Sequence, residues 1–482
     1  MKLTTSVDCA AAAQIISTGY RSRLRDACVS AAARVSAVAN ADGRRLVSLA
    51  ALLFLPFQNS PIVNANLAGI QGLKPFSLLL VVALVLELSR QRAWTFRDSI
   101  ERGAITWYLV YLFAFFVVFA RSIPHLPTFH AEMPDQFQDS VIDYFLSFFV
   151  RPALTTCLFA LIIRQFQSED EIDLVLRTMR ISMAVFSITV LAIIVSTPGL
   201  YSGARVPMAE TFRHSLGLHY NSVGTIYILT GPILVALALE DGILPKLNAT
   251  LAAVVIATIQ SRSSLVIYWL ESLVLLFMLR KGAAFLAMNL IITCALLMWT
   301  APTLSTVHAS NLSPHARALD WALSGRVGFL WAPLLSEWSA DPTRLLWGAG
   351  RYGMLVSSHW GAGEFVDATH AHNAFIDLFL DTGVAGVIVV VSLLAVGLAR
   401  VWRVGRSIRD STFWALALCL GGYLAATVTE RGFFPSTDNL LVFPIVALLV
   451  NVARVRRIAV ASDVGSPSAE QPAHVRAGAN AR

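Results

Sequence analysis

Charged residues are scarce in this chain. Asp, Glu, Lys and Arg make up 14% of its 482 residues, against about a quarter in soluble domains. Together with 56% hydrophobic residues and a mean hydropathy of +0.65, that scarcity argues against a soluble fold. Strand-like alternation is missing, which argues against a β-barrel. The five cysteines, Cys9, Cys28, Cys157, Cys294 and Cys419, fall in the N-terminal tail or in apolar runs, so no disulfide framework is implied. No CxxC or HExxH spacing occurs, and neither a metal site nor a cofactor is expected. No internal repeat is visible, which weakens a transporter reading, since many transporters are built from repeats.

What the chain has in abundance is long apolar runs. We read an all-α, polytopic membrane protein of about twelve spans, near 45–62, 72–89, 103–120, 141–163, 181–197, 222–240, 245–260, 264–279, 283–301, 383–399, 412–429 and 439–453. Residues 1–43 read as a cytoplasmic tail, 44–456 as the membrane domain, and 457–482 as a disordered cytoplasmic tail. Ser168–Arg180, with its acidic start, reads as a cytoplasmic amphipathic helix. Arg151, before Pro152, reads as a break in a span or a snorkelling residue. With the N-terminus inside, 26 of the 37 Lys and Arg residues fall on the cytoplasmic side, as the positive-inside rule requires. The net charge of +7 is then topology signal and attraction to anionic lipid rather than a nucleic-acid footprint. This orientation leaves three unusual segments outside: the long loop at about 302–382, the stretch Pro198–Tyr220, and the tight turn Gln260-Ser261-Arg262-Ser263.

The long loop holds five of the ten histidines and five of the eleven tryptophans. The tryptophans fit either an interfacial belt or a platform for sugar rings. Leu330, Leu334 and Trp338 recur at helical spacing, so part of the loop is expected as a helix along the membrane surface. Near its end stands His370-Ala371-His372-Asn373, followed by an apolar helix. A neutral histidine can take a proton from a hydroxyl, with Asp377 or Asp381 one turn apart to orient it. The alternative is a surface histidine with Asn373 as helix cap. Arg262, between two short spans, needs a partner at that depth: an anionic ligand or a carboxylate. Arg213, before the sixth span, offers a planar fork that suits phosphate.

These motifs together resemble the O-antigen ligase and O-antigen/exopolysaccharide polymerase superfamily of bacterial inner-membrane glycosyltransferases. The resemblance rests on His372-Asn373 with Asp381-x-Gly383-x-x-Gly386; on Ser324-Gly325-Arg326, Trp331 and Gly348-x-Gly350; on Ser261-Arg262; and on Arg213, Gly217 and Asn221. Phe375-Ile376 and Asp381 depart from the usual HNxxL and glutamate of the family. The resemblance covers about 45–455 and implies a GT-C-type enzyme. Such an enzyme moves a glycan from undecaprenyl pyrophosphate to an acceptor hydroxyl on the periplasmic side, without metal or cofactor. His372 would be the base, and Arg213 and Arg262 would hold the pyrophosphate. Arg326, His370, Asn373 and Asp381 would be possible substrate contacts. Partners would be the lipid-linked oligosaccharide, a glycan or lipid A-core acceptor, and other polysaccharide assembly proteins. Polymerase and ligase both fit, with a slight lean to polymerase from the GR…W…GxG stretch; a lipid-linked glycan flippase is the other class.

Overall fold

The computed structural model describes residues 43–65, 74–90, 95–134, 136–137, 139–197, 205–240, 242–259, 261–300, 326–360, 370–405, 410–429, 432–436 and 439–465. Among them every long element is helical: α1 Gly43–Phe54, α2 Pro75–Leu88, α3 Ser99–Ser122, α4 Val141–Gln165, α5 Glu169–Ser196, α6 Arg205–Leu216, α7 Tyr220–Glu240, α8 Ile243–Thr258, α9 Arg262–Leu279, α10 Ala283–Thr300, α11 Ala332–Ala340, α12 Pro342–Trp347, α13 Ala374–Gly405, α14 Ser411–Ala426 and α15 Val442–Gly465. Each expected stretch contains a helix, the first of them ending at Phe57 rather than at 62. Six helical stretches are long and apolar enough to cross a bilayer: Ser99–Glu132, Val141–Gln165, Glu169–Ser196, Tyr220–Leu239, Arg262–Leu279 and Ala374–Ala399. The protein is therefore an all-α chain built to sit in a membrane.

Local chemistry sets the helix starts. Asp98, Asp341 and Asp410 cap α3, α12 and α14 through side-chain oxygens, and Ser168 with Glu171 forms a capping box at α5. Each satisfies amide donors that the helix itself cannot. The Ser168–Arg180 stretch is not a separate helix: it is the first half of α5, which runs unbroken to Ser196. At the C-terminal end α15 continues to Gly465, beyond the expected start of a disordered tail at 457. Within α4 the residues Leu146–Val150 form a π turn, one residue before the Arg151-Pro152 pair. Proline cannot donate to the helical ladder, and the wider turn is how the helix absorbs it.

The relative directions of three helices fix one end of the bundle. Gly224 of α7 lies against Ser261 and Ser264, and Gly231 lies against Tyr268, so α7 and α9 run parallel. Gly422 of α14 lies against Glu271 and Ile267, while Ala415 shares an apolar cluster with Leu275, so α14 runs antiparallel to α9. The start of α7, the start of α9 and the finish of α14 are thus at the same end.

The loop segment 326–360 is a docked subdomain. Leu330, Leu334 and Trp338 join Phe119, Phe129, Phe137 and Tyr144 in a second core. This corrects the expectation of a helix lying on the lipid: the apolar stripe of α11 faces protein. Trp338 is fully buried, and its Nε1 donates to the Leu380 carbonyl at 3.1 Å. Trp360 is buried too. Neither ring is available as a lipid belt or as a sugar platform.

Candidate functional site

The two histidines sit in a short segment clamped from both sides. Between them, Ala371 is fully buried. Its N–H donates to Asp377 Oδ1 at 2.7 Å, and its carbonyl accepts from Trp331 Nε1 at 2.7 Å. Asn373 Oδ1 accepts from the Phe375 and Ile376 amides at 3.0 and 3.2 Å, so Asn373 is the N-cap of α13. The Ala374 amide reaches across to the Thr427 carbonyl at 2.7 Å. His372 has φ +51°, a left-handed conformation that costs a residue bearing a Cβ. Such strain persists only where surrounding contacts over-determine it, and the clamp supplies those contacts. The His370 and His372 rings lie 4.0 Å apart, tilted by 50°.

Arg326 belongs to the same cluster. Its Nη1 donates to the Thr429 carbonyl at 2.7 Å, two residues from the carbonyl that holds Ala374. The end of α14 therefore joins the Arg326 turn to the histidine segment. Beyond it, Asn439 Nδ2 donates to the Gly432 and Phe434 carbonyls at 2.7 and 2.9 Å, and Asn439 Oδ1 accepts from the Ser436 amide at 3.0 Å. Tyr423 also donates to the Gly432 carbonyl. Phe433 stacks edge-on against Phe375 at 4.9 Å. Sequence reading missed Asn439 and Trp331 as positioning residues. A lone asparagine in Ser436-Thr437-Asp438-Asn439 carries no signal of its partners, although Trp331 did stand inside a noted motif.

Asp381 and Asp377 part company. Asp381 is not at the histidines. It is 3% exposed and bonded to Arg351 Nη1 and the Gly353 amide, each at 3.0 Å. As a possible substrate contact Asp381 is corrected: both carboxylate oxygens tie the docked loop to α13. The glycines of the same motifs serve this tie. Gly348 and Gly383 have φ of +69° and +65° and press onto each other's strand of backbone, Gly348 on Asp381-Thr382 and Gly383 on Leu346-Trp347. A side chain at either position would both clash and be strained. Ala349 and Gly350 amides donate to the Leu380 and Asp381 carbonyls at 2.8 and 2.9 Å. Gly383 also breaks α13 into a short helix bearing Asp377 and a longer apolar one.

Arg213 and Arg262 are both exposed. Arg262 is the first residue of α9. Arg213 lies in the last turn of α6, whose Gly217 corner leads into the start of α7. Both therefore stand at the bundle end where α14 finishes and meets the His370–Asn373 segment. Of the loop's other arginines, Arg344 pairs with Glu337 at 2.9 Å and Arg351 with Asp381. Glu337 also accepts from Ser357 Oγ at 2.5 Å and from the Ser358 amide at 3.1 Å. Burial by itself would raise its pKa; the donors from Ser357, Ser358 and Arg344 outweigh that and hold it below the usual glutamate value.

What the arrangement offers chemically is an imidazole pair on a backbone segment clamped from both sides, with Arg326 fastened to the same end of α14. Among the described residues no group of three or more His, Cys, Asp or Glu side chains could hold a metal ion. No protein-family model matches the chain, and no curated protein sequence matches it.

Proposed function

We propose that this protein is an inner-membrane glycosyltransferase that moves a glycan from undecaprenyl pyrophosphate to an acceptor hydroxyl at the periplasmic face, most simply by joining polysaccharide repeat units. The chain then crosses the membrane twelve times with both termini in the cytoplasm. The observation that carries this reading is the strained, clamped turn at His372, φ +51°, at the bundle end that also bears Arg213 and Arg262. The motif resemblance supports the reaction class. His372 takes the proton from the acceptor hydroxyl as the oxygen attacks the anomeric carbon. The bond from that carbon to the diphosphate oxygen breaks. The diphosphate leaves with the electron pair, and the guanidinium groups of Arg213 and Arg262 stabilise the charge it gains.

The test is purified protein with a defined undecaprenyl-pyrophosphate oligosaccharide, scored for chain growth and for transfer to added lipid A-core. Growth supports a polymerase; transfer to the core supports a ligase. Neither product, from protein that still binds the lipid, sinks the reading.

One observation favours a second reading, a transporter of the same lipid-linked glycan. Glu271, in the middle of α9, is buried, and neither of its carboxyl oxygens has a hydrogen-bond partner among the described residues. A titratable group at that depth is a functional candidate in its own right. If Glu271→Gln abolishes lipid-linked glycan export while His372→Ala leaves product formation intact, the transporter reading replaces the enzyme.

A further inference from the structure

Arg151 and Asn59, at the same bundle end, are rich in donors and meet no carboxylate among the described residues. Arg151 follows the π turn of α4 and points its Nη2 at the Gln58 carbonyl, 3.2 Å away, and at Asn59 Oδ1, 3.3 Å away. Both acceptors are neutral. Among the described residues Arg151 makes no ion pair, although Arg44, Arg45, Arg90, Arg164, Arg177, Arg454 and Arg456 of the bundle do. An uncompensated guanidinium at membrane depth is costly. Asn59, 8% exposed, contributes a second unused donor: its Nδ2 is buried with no partner among the described residues. Leaving such a donor unbonded costs about 1–3 kcal/mol. π turns inside helices are frequent at functional positions, and this one sets Arg151 into the group.

We propose that Arg151 and Asn59 form an anion site that takes the phosphate of a lipid headgroup, separate from the groups that hold the donor diphosphate. An oxyanion there meets the guanidinium edge and the orphan amide, and supplies the negative charge that no side chain among the described residues brings to Arg151. Because Gln58 caps the short turn that follows α1, and the Gly217 corner packs on the Asn59 backbone, a lipid held here has its headgroup beside the α6–α7 corner that carries Arg213. For a transfer between two lipid-anchored substrates, this is a second anchoring point. The binding itself does not depend on His372 or on any reaction.

Native mass spectrometry of the full chain in detergent tests it, with farnesyl diphosphate and dioleoyl phosphatidylglycerol as separate probes and farnesol as the phosphate-free control. Asn59→Asp sets a carboxylate against the guanidinium in nearly the same shape and fills the site internally. Arg151→Gln removes the cation. We expect the unaltered chain to retain one more diphosphate or phospholipid than either variant, with affinity for that molecule falling about tenfold or more, the size of a lost charge-assisted bond. The Arg213→Gln/Arg262→Gln double variant keeps that molecule, which separates this site from the one proposed for the donor. Loss confined to farnesyl diphosphate identifies a lipid diphosphate; loss with phosphatidylglycerol identifies a phospholipid headgroup; either supports the site. Asn59→Asp should melt no lower than the unaltered chain. Equal binding by the unaltered chain and Asn59→Asp with both probes overturns the proposal, and so does binding of farnesol that matches the diphosphate.

Discussion

The two ends of the helical bundle treat charge in opposite ways. At one end carboxylates and arginines pair off. Glu87, 3% exposed, meets Arg164 Nε at 3.2 Å and Gln165 Nε2 at 3.1 Å, with Arg90 and Arg44 at 3.4 and 3.8 Å. Arg164 also reaches Glu101 at 3.2 Å, Arg454 pairs with Asp98, and Arg456 bridges Glu169 and Asp410. At the other end stand His370, His372, Arg326, Arg213, Arg262 and Arg151. Arg326 and Arg151 donate to carbonyl and amide oxygens, and the ion pairs of Arg351 with Asp381 and of Arg344 with Glu337 fasten the loop. The paired end holds helices together. The cation-rich end is left electrostatically receptive, which is what an anionic lipid-linked substrate requires.

The sharpest way to break this comparison is to alter each end and ask what is lost. His372→Ala should reduce glycan transfer by about 10²- to 10⁴-fold, the range for removing a general base, with an unchanged melting temperature. His370→Ala should cost far less. Transfer that survives His372→Ala would make the cation-rich end structural. Glu87→Ala should do the reverse. Removing the buried carboxylate strands half-buried arginines at a cost of about 1–3 kcal/mol, so thermal unfolding in detergent should shift downward while activity per folded molecule stays the same. A variant that keeps its melting temperature would remove the contrast. Arg262→Lys keeps the charge but loses the fork; we expect about a tenfold fall in kcat/KM, and full activity would exclude bidentate phosphate binding there.

The smallest effect concerns the docked loop. Glu337 has a lowered pKa in the folded state, so its ion pair and hydrogen bonds stabilise the loop at pH values above the unfolded glutamate value of about 4.3. That contribution is lost as pH falls through the lower folded value. Glu337→Gln should lower loop stability by about 1 kcal/mol at neutral pH and flatten its acid dependence. Protease sensitivity of the 326–360 segment against pH reads this, and an unchanged profile would mean the glutamate contributes nothing to docking.

Particular elements show where sequence reading succeeds. The apolar runs found the helices because burial in lipid demands about 20 apolar residues in a row and satisfied backbone bonds. The short helix before Gly383 and the cap at Asn373 were legible as well, since both depend on neighbours within a turn. The reading failed for α11, where the periodicity of Leu330, Leu334 and Trp338 was right but the partner was wrong. Helical spacing states that a face is apolar, not whether lipid or protein covers it. It failed again for Asp381, whose partner Arg351 lies thirty residues earlier in the chain.

The sequence by itself determined that this is an all-α membrane chain with histidines and arginines gathered in a few polar segments, because composition and periodicity are local properties. The tertiary structure alone decided which of those groups the fold uses to hold itself together. Asp381, Trp338 and the Gly348 and Gly383 pair are used up in docking the loop. The strained His372 turn, and Arg151 without a carboxylate among the described residues, depend on contacts between segments far apart in sequence. Pairing is a question of distance in space, and no spacing along the chain encodes it.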